Sequence, residues 1–104
     1  MDPTIITRHC EVPQPLRERA ITVMERLGSL ATHAMEMTVV FDVDGIQQTV
    51  ELRLHVPRGE ILVAQGEGAD HRTALDRAEE KLRRQVERVS DRRRARPTQQ
   101  NNPL

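Results

Sequence analysis

Two hydrophobic periods take turns along the chain, and the switches between them mark its elements. Thr4 to Cys10 is short and β-branched and predicts a first strand. From Pro13 the spacing becomes helical: Leu16, Ala20, Val23, Met24, Leu27 and Leu30 or Ala31 recur at steps of three and four. Pro13 and Pro15 suit a first turn that needs no backbone donors, and Gly28 suits a helix end. Period two begins near Met35. Met37, Val39, Phe41 and Val43 alternate with Glu36, Thr38 and Asp42, with Val40 out of pattern.

Asp44-Gly45 predicts a hairpin turn, because glycine tolerates the positive φ that tight hairpins need. The return strand places Val50, Leu52, Leu54 and Val56 on one face and Thr49, Glu51, Arg53 and His55 on the other. Pro57-Arg58-Gly59 predicts a second turn, and Ile61 to Ala64 a fourth strand. A last helix begins near Asp70, whose carboxylate can cap the first turn. Its apolar stripe is Ala74, Leu75, Ala78, Leu82, Val86 and Val89. The class is α+β, ordered β-α-β-β-β-α: a four-stranded sheet with two helices packed on one face.

Composition narrows the chemistry. The chain has 104 residues, enough for one core, and Phe41 is its single aromatic residue. Base stacking on a sheet of aromatic side chains is therefore nearly excluded. Cys10 stands alone, so no internal disulfide forms and no oxidising compartment is indicated. The start lacks the basic and apolar regions of a secretion signal, no apolar run reaches membrane-spanning length, and the cytoplasm is the default.

The zero net charge hides a strong asymmetry. Residues 1–71 hold 6 Lys+Arg against 11 Asp+Glu, a balance of −5, and residues 72–104 hold 10 against 5, a balance of +5. On the last helix, at 100° per residue, Arg77, Lys81, Arg84 and Arg88 gather on one flank of the apolar stripe. Asp76, Glu79 and Glu87 fall on the other flank or the back, with Glu80 near the border. The four cations span about 16 Å of helix at ~1.5 Å per residue, enough to follow several phosphates of a folded RNA strand. The competing reading is pairing within the helix, since Arg77–Glu80 and Glu80–Arg84 have helix-neighbour spacing. Beyond the helix, 91–96 (DRRRAR) continues the positive charge, and 97–104 reads as a disordered tail.

Other motifs lead nowhere. His9, His33, His55 and His71 are scattered, and neighbours on a strand such as His9 and Cys10 point apart, so no metal site is expected. Asp42-Val43-Asp44-Gly45 resembles the start of a calcium loop, but Ile46 sits where a ligand is required. Gly66-Glu67-Gly68 before a helix suggests a phosphate loop, yet Glu67 and Asp70 would repel phosphate. With no converging acid, base or nucleophile, the chain reads as a binding protein and not an enzyme, with no cofactor and no small-molecule substrate.

Three stretches resemble the ribosome-hibernation factors, a family that includes the ribosome-associated translation inhibitors and is also called sigma-54 modulation protein. They are ITRHCEVPQPLRER, VELRLHVPRGEILVA and GADHRTALDRAEEKLRRQVERV, within a similarity running from about Ile5 to Arg92. The most specific part is Asp70, Ala74, Leu75 and Asp76, then Glu80, Lys81, Leu82, Arg84 and Gln85. The resemblance implies a β-α-β-β-β-α domain, here 1–96. It implies binding to the small ribosomal subunit and its rRNA, in the channel of mRNA and tRNA, and silencing of idle ribosomes.

The family's basic residues near the first strand and along the last helix face rRNA, which implies that role for Arg8, Lys81, Arg84 and Arg88, with Arg92 as a helix-end candidate. Arg77 joins them from the flank geometry. The chain departs from the family pattern at Thr7, Pro13, Leu30, Ala31 and Arg72, where a small residue, a hydroxyl cap and aromatic residues are usual. Ending soon after the helix, it resembles the short type, without the additional domain that pairs ribosomes. The alternative is a diverged protein-interaction module of the same fold that has left the ribosome.

Overall fold

A computed structural model describes residues 2–31, 34–57 and 60–100, with side chains described as far as Val89. Its elements are β1 (Thr4–Thr7), α1 (Gln14–Leu30), β2 (Glu36–Asp44), β3 (Gln47–His55), β4 (Ile61–Gly68) and α2 (His71–Gln100), the order read from the sequence. The strands lie in the order β1-β2-β3-β4 in one sheet. β1 runs parallel to β2, and the other two pairings are antiparallel. Parallel strands need a crossover, and α1 supplies it. His33, Arg58, Gly59 and residues 101–104 lie outside the described residues.

The core sits between the sheet and the two helices. Met37, Val39, Phe41, Val50, Leu52, Leu54, Leu62 and Ala64 face inward from the sheet. Ala20, Val23, Met24 and Leu27 come from α1, and the whole predicted stripe from Ala74 to Val89 comes from α2. Leu75 and Leu82 have no exposed surface. Each such leucine contributes about 1.5–3 kcal/mol of burial, which holds α2 on the sheet more firmly than helix propensity does.

Several boundaries differ from the sequence reading, each for a local reason. β1 stops at Thr7 because His9 adopts φ 59°, a left-handed conformation that ends strand geometry. The bend carries Cys10 toward the core, where its Sγ donates to the Phe41 carbonyl at 3.6 Å. α1 continues to Leu30, past Gly28. That glycine lies buried against the Met37 side chain and lacks the positive φ of a helix-ending glycine, so the helix runs through it. In the β2–β3 hairpin Asp44 pairs with Gln47, so the central turn residues are Gly45 and Ile46. Gly45 alone of the two has positive φ, the type II′ pattern.

β4 extends four residues beyond the predicted Ala64, through the glycines that suggested a phosphate loop. Its inward positions shrink in order: Leu62, Ala64, Gly66, Gly68. An added Cβ on Gly66 would lie 2.1 Å from the Ala74 carbonyl oxygen and 2.5 Å from the Ala78 nitrogen. The glycines therefore let the start of α2 lie directly against the strand, small residue on small residue. Val40, out of pattern in the sequence, floors a shallow hollow of about 280 Å³ on the uncovered face, lined also by Arg8, Thr49, Glu51 and Arg53. Polar neighbours with long apolar stems keep it 8% exposed.

Candidate nucleic-acid interface

The start of α2 is fixed at three points. Asp70 Oδ1 accepts the Thr73 N–H at 2.7 Å, the cap expected from the sequence. That backbone bond is the main reason the Asp70 carboxyl titrates below its ordinary value. His71, buried at 8% exposure, donates from Nε2 to the Asp42 carbonyl at 2.9 Å. Its ring also meets Phe41 edge-on, with centroids 5.4 Å apart. A signal is present in the sequence: His71 stands three, four and seven residues before Ala74, Leu75 and Ala78, in phase with the apolar stripe, but it is polar and is not counted in it.

The acidic flank of α2 turns toward α1. Arg19 donates to Asp76 at 3.0 Å, and Glu79 lies 3.7 Å from Arg26 and 3.2 Å from Arg83. Glu79 is only 8% exposed, so its carboxylate is held in the seam between the helices by two guanidinium groups. The two cross-helix pairs, Arg19–Asp76 and Arg26–Glu79, are not predicted by spacing within either segment. A weaker signal is present: Arg19 and Arg26 share one face of α1, and Asp76 and Glu79 one face of α2.

The other flank leaves the four predicted cations exposed but in two different situations. Arg77 Nη1 donates to the Glu67 carbonyl at 2.7 Å, and Lys81 Nζ to the Gln65 carbonyl at 2.9 Å. Gln85, part of the family-like stretch but not among the predicted RNA contacts, donates to the Val63 carbonyl at 2.8 Å. Arg84 pairs with Glu80 at 2.5 Å, one of the two intrahelical pairs anticipated, whereas Arg77 does not pair with Glu80. Arg88 has no ionic or hydrogen-bonded partner among the described residues. An exposed i,i+4 pair is worth only ~0.3–0.5 kcal/mol, so Glu80 does not lock Arg84 away from a stronger anion.

Arg8 is placed elsewhere. It follows β1, at the edge of the sheet opposite β4, and lines the hollow on the uncovered face with Asp42, Asp44, Glu51 and Arg53. Its N–H extends the ladder to the Phe41 carbonyl at 2.8 Å. The fold thus brings Arg77, Lys81, Arg84 and Arg88 together and leaves Arg8 apart from them. Next to Arg8, His9 Nδ1 donates to Asp42 Oδ1 at 3.1 Å. That bond, then the Val43 N–H, holds the Asp42 carboxyl below its ordinary range. The Arg92 side chain lies outside the described residues.

Residues 4–94 match the family model described as sigma 54 modulation protein / S30EA ribosomal protein. The chain belongs to that family. Two curated relatives from Pseudomonas putida, each named ribosome hibernation promoting factor, are 37% identical over 91 residues, covering 85% of this chain and 85% of their own length. Among solved structures, the Protein Y N-terminal domain of Thermus thermophilus is similar with TM-score 0.71 and 27% identity, over 82% of this chain and 93% of that one. A ribosomal subunit interface protein from Coxiella burnetii shares the fold with TM-score 0.77 at 18% identity, over 86% of this chain and 97% of its own. The fold of this family member is the β-α-β-β-β-α order that its sequence pattern predicts.

Proposed function

We propose that this protein binds the small ribosomal subunit in the mRNA and tRNA channel and silences translation in idle ribosomes. Family membership supports the ribosome as partner, and the name shared by the Pseudomonas relatives supports hibernation as the setting. The observation that carries the mode of binding is the exposed basic flank of α2. Arg84 and Arg88 present guanidinium groups held at most by one weak surface pair, and arginine donates paired hydrogen bonds to phosphate. Arg77 and Lys81 add positive potential from the same flank, and Arg92 continues it in sequence.

Arg8 is a second point of contact, on the other edge of the sheet, for a surface that surrounds the domain. The sheet carries no aromatic residue on its uncovered face, so affinity comes from phosphate contacts and not from stacking. No cofactor, metal or small substrate takes part. A protein that acts on ribosomes works in the cytoplasm, and among the described residues no helix is long and apolar enough to cross a membrane.

Sucrose-gradient sedimentation of stationary-phase lysate tests the reading: the protein is expected with small subunits and whole ribosomes. Its recovery only at the top of the gradient would refute the proposal. Charge reversal at both Arg84 and Arg88 should weaken ribosome binding and flatten its dependence on salt, because fewer counterions are released.

A further inference from the structure

Arg77, Lys81 and Gln85 stand four residues apart on α2, and they bond the carbonyls of Glu67, Gln65 and Val63, two residues apart on β4. The spacing match is physical. Four helical residues advance about 6.0 Å and two strand residues about 6.7 Å. The mismatch accumulates to roughly 1.4 Å over the three contacts, within reach of long side chains. α2 runs antiparallel to β4, so each step up the helix meets the next outward carbonyl down the strand. The next step would pair position 89 with position 61, and Val89 has no donor there.

β4 is an outer strand of eight residues, whereas the opposite edge, β1, has four. A long unpaired edge is a template for another strand, and its carbonyls are the acceptors such a strand would use. Here the three carbonyls from Val63 to Glu67 are already taken. We propose that Arg77, Lys81 and Gln85 form a side-chain seam that closes the β4 edge against strand addition by a second copy of this chain, and that this duty withdraws Arg77 and Lys81 from direct phosphate contact. The second half rests on the rRNA-binding reading above. The first half stands on the geometry of the free chain.

Sedimentation velocity over a concentration series tests the seam. The unaltered chain, Arg84→Met and Gln85→Lys, which keeps a donor at position 85, should give one and the same profile. Lys81→Met with Gln85→Leu should shift with concentration toward species of at least twice the mass. If the double variant and Gln85→Leu both sediment as the unaltered chain does, the seam is refuted. Where the double variant fails to fold, Gln85→Leu against Gln85→Lys decides.

Ribosome binding at nanomolar protein tests the division of labour. Arg84→Met should lower the slope of log K against log salt by about 0.7, the value for one lost phosphate contact on single-stranded nucleic acid, and Lys81→Met, which removes potential but no direct contact, should lower it clearly less. An equal fall for both overturns the withdrawal of Lys81. If neither slope moves, the rRNA reading of this flank fails, and the sedimentation result still judges the seam.

Discussion

Replacing Gly66 by alanine asks for one methyl group where the structure has no room. The new Cβ would sit 2.1 Å from the Ala74 carbonyl oxygen, 2.5 Å from the Ala78 nitrogen and 3.1 Å from the Arg77 Cβ. An ordinary C···O contact is about 3.3 Å, so the start of α2 must lift by roughly 1 Å. The obstructing atoms are helix backbone, which cannot swing aside as a side-chain end can. A gap of ~0.5–1 Å forfeits a quarter to a half of the dispersion energy along the lifted contact. The residues that lose it include Ala74, Leu75 and Ala78, all fully buried.

Overpacking of this kind costs about 1–3 kcal/mol, and rigid neighbours put Gly66 at the upper end. Alanine offsets ~0.4–1 kcal/mol by restricting the unfolded chain. The net expectation is a loss of about 2 kcal/mol, or a fall in Tm of roughly 10 °C for a domain of this size. Thermal and urea unfolding followed by circular dichroism measure it, with m unchanged. Gly28→Ala is the internal contrast. There the close atom is the end of the flexible Met37 side chain, and the helix gains about 1 kcal/mol of propensity, so stability should hold or rise. Gly66→Ala within ~0.5 kcal/mol of the unaltered chain would refute the close-approach account of β4.

The seam between the helices makes a prediction of opposite chemistry. Glu79→Lys puts a third cation against Arg26 and Arg83 and should cost about 1–2 kcal/mol, discounted because both arginines are half exposed to solvent. Added salt should recover part of the loss in urea denaturation, and a loss insensitive to salt would argue against an electrostatic cause. For Asp42, the folded pKa is depressed, so its stabilising contribution is present above the unfolded value of about 3.9 and is lost as pH falls through the folded value. His9→Ala removes the largest cause, so the carboxyl titration followed by NMR should move back up toward the ordinary value. An unmoved midpoint would show that the His9 contact does not form in solution.

What the sequence determined by itself is whatever depends on spacing within one segment. The stripe from Ala74 to Val89, the alternation of β3 and the Asp70 cap were all legible, because helix and strand periods are set by local backbone geometry. So was the existence of a basic flank, since four side chains at helical steps must share a side wherever the helix goes. Only the tertiary structure decided what each cation does. Arg77 and Lys81 meet β4 carbonyls while Arg84 and Arg88 do not, because the register of α2 against the strand comes from Gly66 and Gly68 allowing a close approach. Gln85, His71 and Glu79 acquired their roles in the same way, from partners 22, 29 and 53 positions away in the chain. Each such bond is worth on the order of 1 kcal/mol and leaves no periodic trace. Arg8 shows the limit most clearly: its charge was plain in the sequence, but its separation from the basic flank follows from β1 and β4 lying at opposite edges of one sheet.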